Sequence, residues 1–231
     1  INGDYAAPIT FAADHISSVE RVTLVSGHDY DLVIGAGLIQ ASQQLTVFCG
    51  GAGDSVSIDN TASAEGTQLQ AESGGGSFTF RGGAGKDLVS LPPSTITHLD
   101  VDLGAGDDRI NIWPNLPGGA HLAGGDGTDM LILEFKLSGP LTLNSALATG
   151  FEIVEIDWGG DIRISDNFVT AGGTLTVYAS TIPANGYAHV DGSKVKHGAL
   201  NIVGGTVSDT LAGGHGADSL FGAGGSDTLI G

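Results

Sequence analysis

The sequence predicts an all-β chain built as a parallel β-helix or β-roll solenoid. Three observations carry this reading. Glycine supplies 39 of 231 residues, and 7 prolines add further punctuation, so long helices have no room to form. Glycine turns ending in aspartate recur at fixed spacings. On either side of those turns apolar and polar residues alternate, which is the period of a strand. Strand, turn and strand repeated at constant length stack like positions on like positions, and that is a solenoid.

The most regular coils lie in the middle of the chain. Gly82-Gly83-Ala84-Gly85-Lys86-Asp87 is followed by Leu103-Gly104-Ala105-Gly106-Asp107-Asp108 and by Gly124-Gly125-Asp126-Gly127-Thr128-Asp129. The steps 108 − 87 and 129 − 108 are both 21 residues. The apolar columns keep that step: Phe78/Leu99/Ala120 and Phe80/Val101/Leu122 before the turns, Val89/Ile110/Leu131 and Leu91/Ile112/Leu133 after them. Cys49-Gly50-Gly51-Ala52-Gly53-Asp54 reads as a weaker copy, with Leu45 and Val47 before it and Val56 and Ile58 after it. Asp54 to Asp87 is 33 residues, or 21 + 12, which places an extra loop within residues 59–76. Beyond Asp129 the apolar step reaches Leu141 and Leu143. Gly150 stands at the next turn position, so the aspartate column ends at Asp129.

Residues 1–150 thus read as one solenoid with coils of about 21 residues. Residues 151–203 read as a strand-rich spacer related to 17–48. Leu45-Thr46-Val47-Phe48 matches Leu175-Thr176-Val177-Tyr178, and Val19-Glu20 matches Val154-Glu155. In residues 204–231 the turns tighten. Gly204-Gly205-Thr206-Val207-Ser208-Asp209, Gly213-Gly214-His215-Gly216-Ala217-Asp218 and Gly222-Ala223-Gly224-Gly225-Ser226-Asp227 place their aspartates nine residues apart, with Leu211, Leu220 and Leu229 two residues beyond. That spacing makes a β-roll of 18 residues per coil. The absence of an initiator Met and the stop at Gly231 inside a repeat read as a piece of a longer protein.

Composition narrows the function. Acidic residues number 26 and basic residues 8, a formal charge of −18. Asp outnumbers Glu by 20 to 6, and Asp suits turns and metal sites. Nucleic acid is excluded as a partner, because phosphate binding needs clustered Lys and Arg. Docking on an anionic membrane is disfavoured for the same reason, and no apolar run of 18 residues offers a membrane span. The chain is nonetheless 41% hydrophobic, with a mean hydropathy of +0.17, enough to bury a core rather than remain disordered. Cys49 stands alone, so an internal disulfide and a cysteine zinc cluster are excluded; it reads as a small buried residue.

The turns suit calcium. A Ca²⁺ ion takes six to eight oxygens, mixing carboxylates with backbone carbonyls, and glycine lets carbonyls turn toward an ion. Stacked coils set like charges ~5 Å apart, where each pair costs about 3 kcal/mol at an effective dielectric of 20. The column Asp87, Asp108 and Asp129 therefore calls for a cation between turns. If turns bind calcium pairwise, Asp108 borders two interfaces and its neighbours one each.

The nonapeptides match GGxGxDxUx, U being a large apolar residue. On residues 82–132 and 204–230 the chain resembles the RTX (repeats-in-toxin) family of secreted bacterial proteins. The resemblance implies a right-handed parallel β-roll, several Ca²⁺ ions held between turns, type I secretion by a Gram-negative cell, and folding outside it. Its metal positions fall here on Asp87, Asp108, Asp129, Asp209, Asp218 and Asp227, on Gly83, Gly85, Gly104, Gly106, Gly125, Gly127, Gly205, Gly214 and Gly216, and on the weaker copy at Asp54. The 21-residue coils depart from the family pattern, since their second edge runs through Pro92-Pro93, 114–117 or 136–140 without a glycine turn. Calcium is expected along one edge there. In the C-terminal roll Asp209 and Asp227 share one edge and Asp218 takes the other.

No catalytic motif stands out: there is no G-x-S-x-G elbow, no H-E-x-x-H and no P-loop. His28-Asp29-Tyr30-Asp31 reads as a loop, Asp107-Asp108-Arg109 as a salt bridge, and Asp100, Asp102, Asp107 and Asp126 as solvated. Trp113 and Trp158 read as packing residues. The expected function is a calcium-dependent structural or binding module of a secreted or cell-surface bacterial protein, of adhesin, surface-layer or filament type, and not an enzyme. The alternative is the non-catalytic RTX tail of a secreted hydrolase or polysaccharide epimerase. Beyond calcium, the partners considered are further copies of the chain and a surface glycan.

Overall fold

A computed structural model describes residues 1–3, 5, 7–12, 21–25, 27–39, 45–49, 55–71, 76–91, 96–113, 116–134 and 136–231. All regular structure among them is strand, and none is helix. No helix of the described residues is long and apolar enough to cross a membrane. The chain divides into two compact units, Ile1–Asp129 and Met130–Gly231. The strands form a parallel β-solenoid with coils of about 22 residues.

The first unit carries β1 (Ile9–Phe11), β2 (Arg21–Thr23), β3 (Tyr30–Ile34), β4 (Leu45–Cys49), β5 (Val56–Asp59), β6 (Thr67–Ala71), β7 (Ser77–Arg81), β8 (Leu88–Leu91), β9 (His98–Asp102), β10 (Arg109–Ile112) and β11 (His121–Ala123). Odd strands line up as β1-β3-β5-β7-β9-β11, even strands as β2-β4-β6-β8-β10. Every coil therefore gives one strand to each sheet. The expected columns are present: Phe78 pairs Leu99, Phe80 pairs Val101, Val89 pairs Ile110 and Leu91 pairs Ile112. The offset 110 − 89 is the expected 21. Burial alternates along the strands, as in β7 and β10, and Phe80, Val89, Val101 and Ile110 are fully enclosed. Each such side chain contributes about 1.5–3 kcal/mol on leaving water.

Two expectations are overturned here. The segment 59–76 is not an extra loop, because β6 lies within it and pairs with β4 and β8. Val56 and Ile58 pair with Phe78 and Phe80, so they precede an aspartate turn rather than follow one. Asp54 itself lies outside the described residues. The strands around it, β4 and β5, belong to the even and odd sheets in that order, the reverse of β7 and β8, which takes its turn off the Asp87 column. The coil stacked on 82–87 is instead Asn60 to Thr67, since Gln68 pairs Leu88.

The second unit carries β12 (Met130–Leu133), β13 (Leu141–Leu143), β14 (Ala148–Thr149), β15 (Ile153–Ile156), β16 (Gly160–Ile164), β17 (Thr174–Tyr178), β18 (Ala188–Asp191), β19 (Ala199–Val203), β20 (Thr210–Ala212), β21 (Ser219–Phe221) and β22 (Thr228–Ile230). The orders are β12-β15-β17-β19-β21 and β13-β16-β18-β20-β22. Residues 151–203 supply β15 to β19, within the same two sheets as the C-terminal turns. Their coils are long: 200 − 175 is 25 residues and 190 − 162 is 28. The last coils shorten to the expected 18, from Ile202 to Leu220 and from Leu211 to Leu229.

Candidate metal centre

Each turn aspartate sits one residue before a strand, and its carboxylate points back at the coil that precedes it. Asp87 N–H donates to Asp108 Oδ1, 2.7 Å, and Asp108 N–H donates to Asp129 Oδ1, 2.8 Å. Thr67 N–H donates to Asp87 Oδ1 in the same way. In the second unit Ala188 N–H reaches Asp209 Oδ1 at 2.9 Å, Leu200 N–H reaches Asp218 Oδ1 at 2.8 Å, and Asp209 N–H reaches Asp227 Oδ1 at 3.0 Å. A carboxylate thus bonds each turn to its neighbour across 18 to 21 residues of chain. Asp209 and Asp227 share one edge, and Asp218 precedes a strand of the other sheet.

The second carboxylate oxygen divides the turns into two kinds. Asp87 Oδ2 accepts from Gly83 N–H at 3.3 Å, Asp209 Oδ2 from Gly205 N–H at 2.9 Å, and Asp218 Oδ2 from Gly214 N–H at 2.7 Å. Those aspartates close their own turns. At 103–108 the equivalent amide, Gly104 N–H, donates to Asp102 Oδ1 at 3.2 Å instead, and Asp108 Oδ2 is buried without a hydrogen-bond partner. The backbone differs accordingly. Gly104 and Gly106 have φ of +92° and +138°, and Gly125 and Gly127 have +108° and +139°, while Gly83, Gly85, Gly205, Gly214 and Gly216 stay outside that left-handed range. The turns 103–108 and 124–129 are further joined by the Ala105–Asp126 bridge.

The electrostatics are unusual for so acidic a chain. Asp87, Asp108, Asp129 and Asp209 are all buried, at most 2% exposed. Burial pushes the Asp87 carboxyl up to about 7, with the Asp108 charge adding to it against the Thr67 and Gly83 amides. Burial likewise pushes Asp108 up to about 7, with Asp129 and Asp107 adding repulsion against the Asp87 amide and Lys86. A buried carboxylate without a counter-charge is costly.

The donor set fits a hard cation. Among the described residues no three His, Cys, Asp or Glu side chains gather as a ligand group, so an ion here takes most of its oxygens from backbone carbonyls, as Ca²⁺ readily does. Glycine opens the space. A Cβ on Gly82 would lie 1.9 Å from Leu103 O and 2.5 Å from Asp87 Oδ2, and one on Gly204 would lie 2.6 Å from Asp209 Oδ2 and 2.8 Å from Gly222 O. Carbonyl and carboxylate from adjacent coils therefore face the same gap in both units.

Residues read as bystanders show a mixed outcome. Asp102, Asp107 and Asp126 are exposed. Asp100 is paired, to Arg81 and to His121 Nδ1 at 3.4 Å, and the Arg81 guanidinium beside it holds its carboxyl below the ordinary range. Arg109 does not pair with Asp107 or Asp108; its Nε donates to Asn111 Oδ1 at 2.8 Å. Tyr30 is no loop residue but opens β3, buried, with its hydroxyl on Val25 O. Trp113 and Trp158 are 41% and 50% exposed rather than packed, because both fall just outside strands at coil corners. The Cys49 side chain lies outside the described residues.

Sequence reasoning missed the turn that precedes the aspartate column. Asn60 and Thr67 are fully buried, and Asn60 Nδ2 donates to Thr67 Oγ1 at 2.6 Å. They cap the column with neutral groups. It also missed Asp166, which accepts from the amides of Lys196 and His197 and meets His197 Nδ1 at 2.7 Å. The only available signal was coil register, which places residues some 18 to 31 positions apart side by side. Comparison with protein-family models, with curated proteins and with solved structures found no match to this chain.

Proposed function

We propose that this chain is a calcium-dependent structural module of a secreted or cell-surface bacterial protein, of the kind the RTX resemblance implies. Its turn aspartates and turn carbonyls hold Ca²⁺, and the ion's charge offsets the column of buried carboxylates. One observation carries the reading: aspartates stack coil upon coil in a buried column, and Asp108 keeps a carboxylate oxygen there without a hydrogen-bond partner. The protein's work in this reading is mechanical and adhesive rather than catalytic. A solenoid that stiffens where calcium is plentiful presents a long surface to other copies of the chain or to a glycan.

The test is a calcium titration of the purified chain, followed by far-UV circular dichroism and by metal analysis. Millimolar Ca²⁺ should raise β-structure and melting temperature together. A ligand that binds only the folded state adds about 2.7 kcal/mol per site when free ligand is 100-fold above its Kd. Mg²⁺ should substitute poorly, because its tight octahedral shell is hard to assemble from turn carbonyls. Identical melting curves in EDTA and in calcium would refute the proposal.

A further inference from the structure

We infer that the turn aspartates are not equivalent, and that Asp108 is the position that depends on a bound divalent cation while Asp87, Asp209 and Asp218 hold their turns without one. This rests on the calcium reading above and assigns that reading to one place.

A carboxylate has two oxygens to satisfy. Asp87, Asp209 and Asp218 satisfy both with amides, one from the preceding coil and one from the glycine four residues back. Asp108 satisfies one, at Asp87 N–H. Its Oδ2 is buried and bonded to nothing in the protein. The cause is local. The residue two places before the turn glycine is Asp102 here, and it takes the Gly104 amide. The equivalent residues are Arg81, Val203 and Ala212, none of which accepts through its side chain, so in those turns the amide is left for the turn aspartate.

A proton on Oδ2 would remove the charge yet leave a buried hydroxyl without an acceptor. A divalent cation both neutralises the carboxylate and supplies the missing bond. Oxygens from two coils already converge beside it: a Cβ on Gly106 would lie 2.8 Å from Gly85 O and 3.0 Å from Asp108 Oδ1. An all-oxygen set containing a carbonyl selects Ca²⁺ over transition metals. The charged groups acting on Asp108 are Asp129 and Asp107, which repel it, and Lys86, which attracts it; two acids outweigh one exposed lysine.

The experiment compares melting of the full chain, in EDTA and in millimolar CaCl₂, for the wild type, Asp108→Asn and Asp209→Asn, with calorimetric stoichiometry. Asp108→Asn should lose most of the calcium-induced rise in melting temperature and at least one bound ion, while melting in EDTA no lower than the wild type. Asp209→Asn should melt lower in both buffers and keep the calcium-induced rise. Asp102→Ala, at an exposed site, gives a second route if Asp108→Asn fails to fold: freeing the Gly104 amide should shrink the calcium-induced rise. An undiminished rise in Asp108→Asn or Asp102→Ala, or its abolition in Asp209→Asn, would overturn the inference while leaving the calcium reading intact. A wild type unmoved by calcium would overturn both.

Discussion

Replacing Gly125 by alanine should be among the most damaging single-methyl changes in the chain. Gly125 has φ +108°, and an added Cβ would stand 1.8 Å from Gly104 O in the adjacent coil, where real Cβ contacts do not fall below 3.0 Å. Two costs add. Holding an L-residue in a left-handed conformation costs about 1–2 kcal/mol, and forcing packed backbone apart costs about 1–3 kcal/mol. The expected destabilisation is the sum, about 2–5 kcal/mol. Gly118→Ala is the matched control, because a Cβ there meets nothing within 4 Å and its φ lies outside the left-handed range. That change should be neutral or stabilise by about 0.4–1 kcal/mol through a less flexible unfolded chain. Urea unfolding of both variants in EDTA, followed by circular dichroism, provides the comparison. If Gly125→Ala unfolds at the same urea concentration as Gly118→Ala, the close stacking of turns 103–108 and 124–129 is wrong.

Acidity should stabilise the calcium-free protein. Folded Asp87 and Asp108 hold protons up to about 7, against an ordinary 3.8, so the folded state binds more protons in between, and stability present below 3.8 is lost as pH rises through about 7. In EDTA the chain should melt higher at pH 5 than at pH 8, and calcium should reverse that order; a higher melt at pH 8 in EDTA would show that the carboxyls are not raised. Phe80→Ala empties a fully enclosed position and should cost about 3–5 kcal/mol in urea unfolding. Arg81→Ala breaks an ion pair whose side chains are 35% and 27% exposed, and should cost less than about 1 kcal/mol, shrinking further in high salt.

The regular coils were legible because two periods coincide there. Alternation marks Phe78, Phe80, Val89 and Leu91 as inward, and the 21-residue step then places Leu99, Val101, Ile110 and Ile112 on top of them. Neither period distinguishes a strand before a turn from one after it, since both alternate. That is why Val56 and Ile58 were set in the wrong column and β6 was lost in a loop. The turn beneath Asp87 was invisible for a different reason: Asn60 and Thr67 do its work without a glycine pair or an aspartate. Within the turns, the motif located all six aspartates but not the contrast among them. That contrast depends on whether Asp102 or Asp108 receives the Gly104 amide, a competition between two acceptors that turn spacing does not encode. Arg81, Asp100 and His121 are strangers in sequence and meet only once the coils are in register.

The bonds from each turn carboxylate to the amide of the coil before it make the repeat interchangeable. Asp87 N–H asks for an aspartate at the same place in the following coil, and Asp129 would serve as well as Asp108. Excising residues 88–108 joins Asp87 to Arg109 and sets Ile110 over Leu69, apolar on apolar, with the 124–129 turn brought against 82–87. Such a shortened chain should still fold, one coil shorter. Insertion of a further 21-residue copy should be tolerated for the same reason. A gene for such a chain can therefore gain or lose whole coils by recombination, and length becomes a trait that varies without redesign of the core.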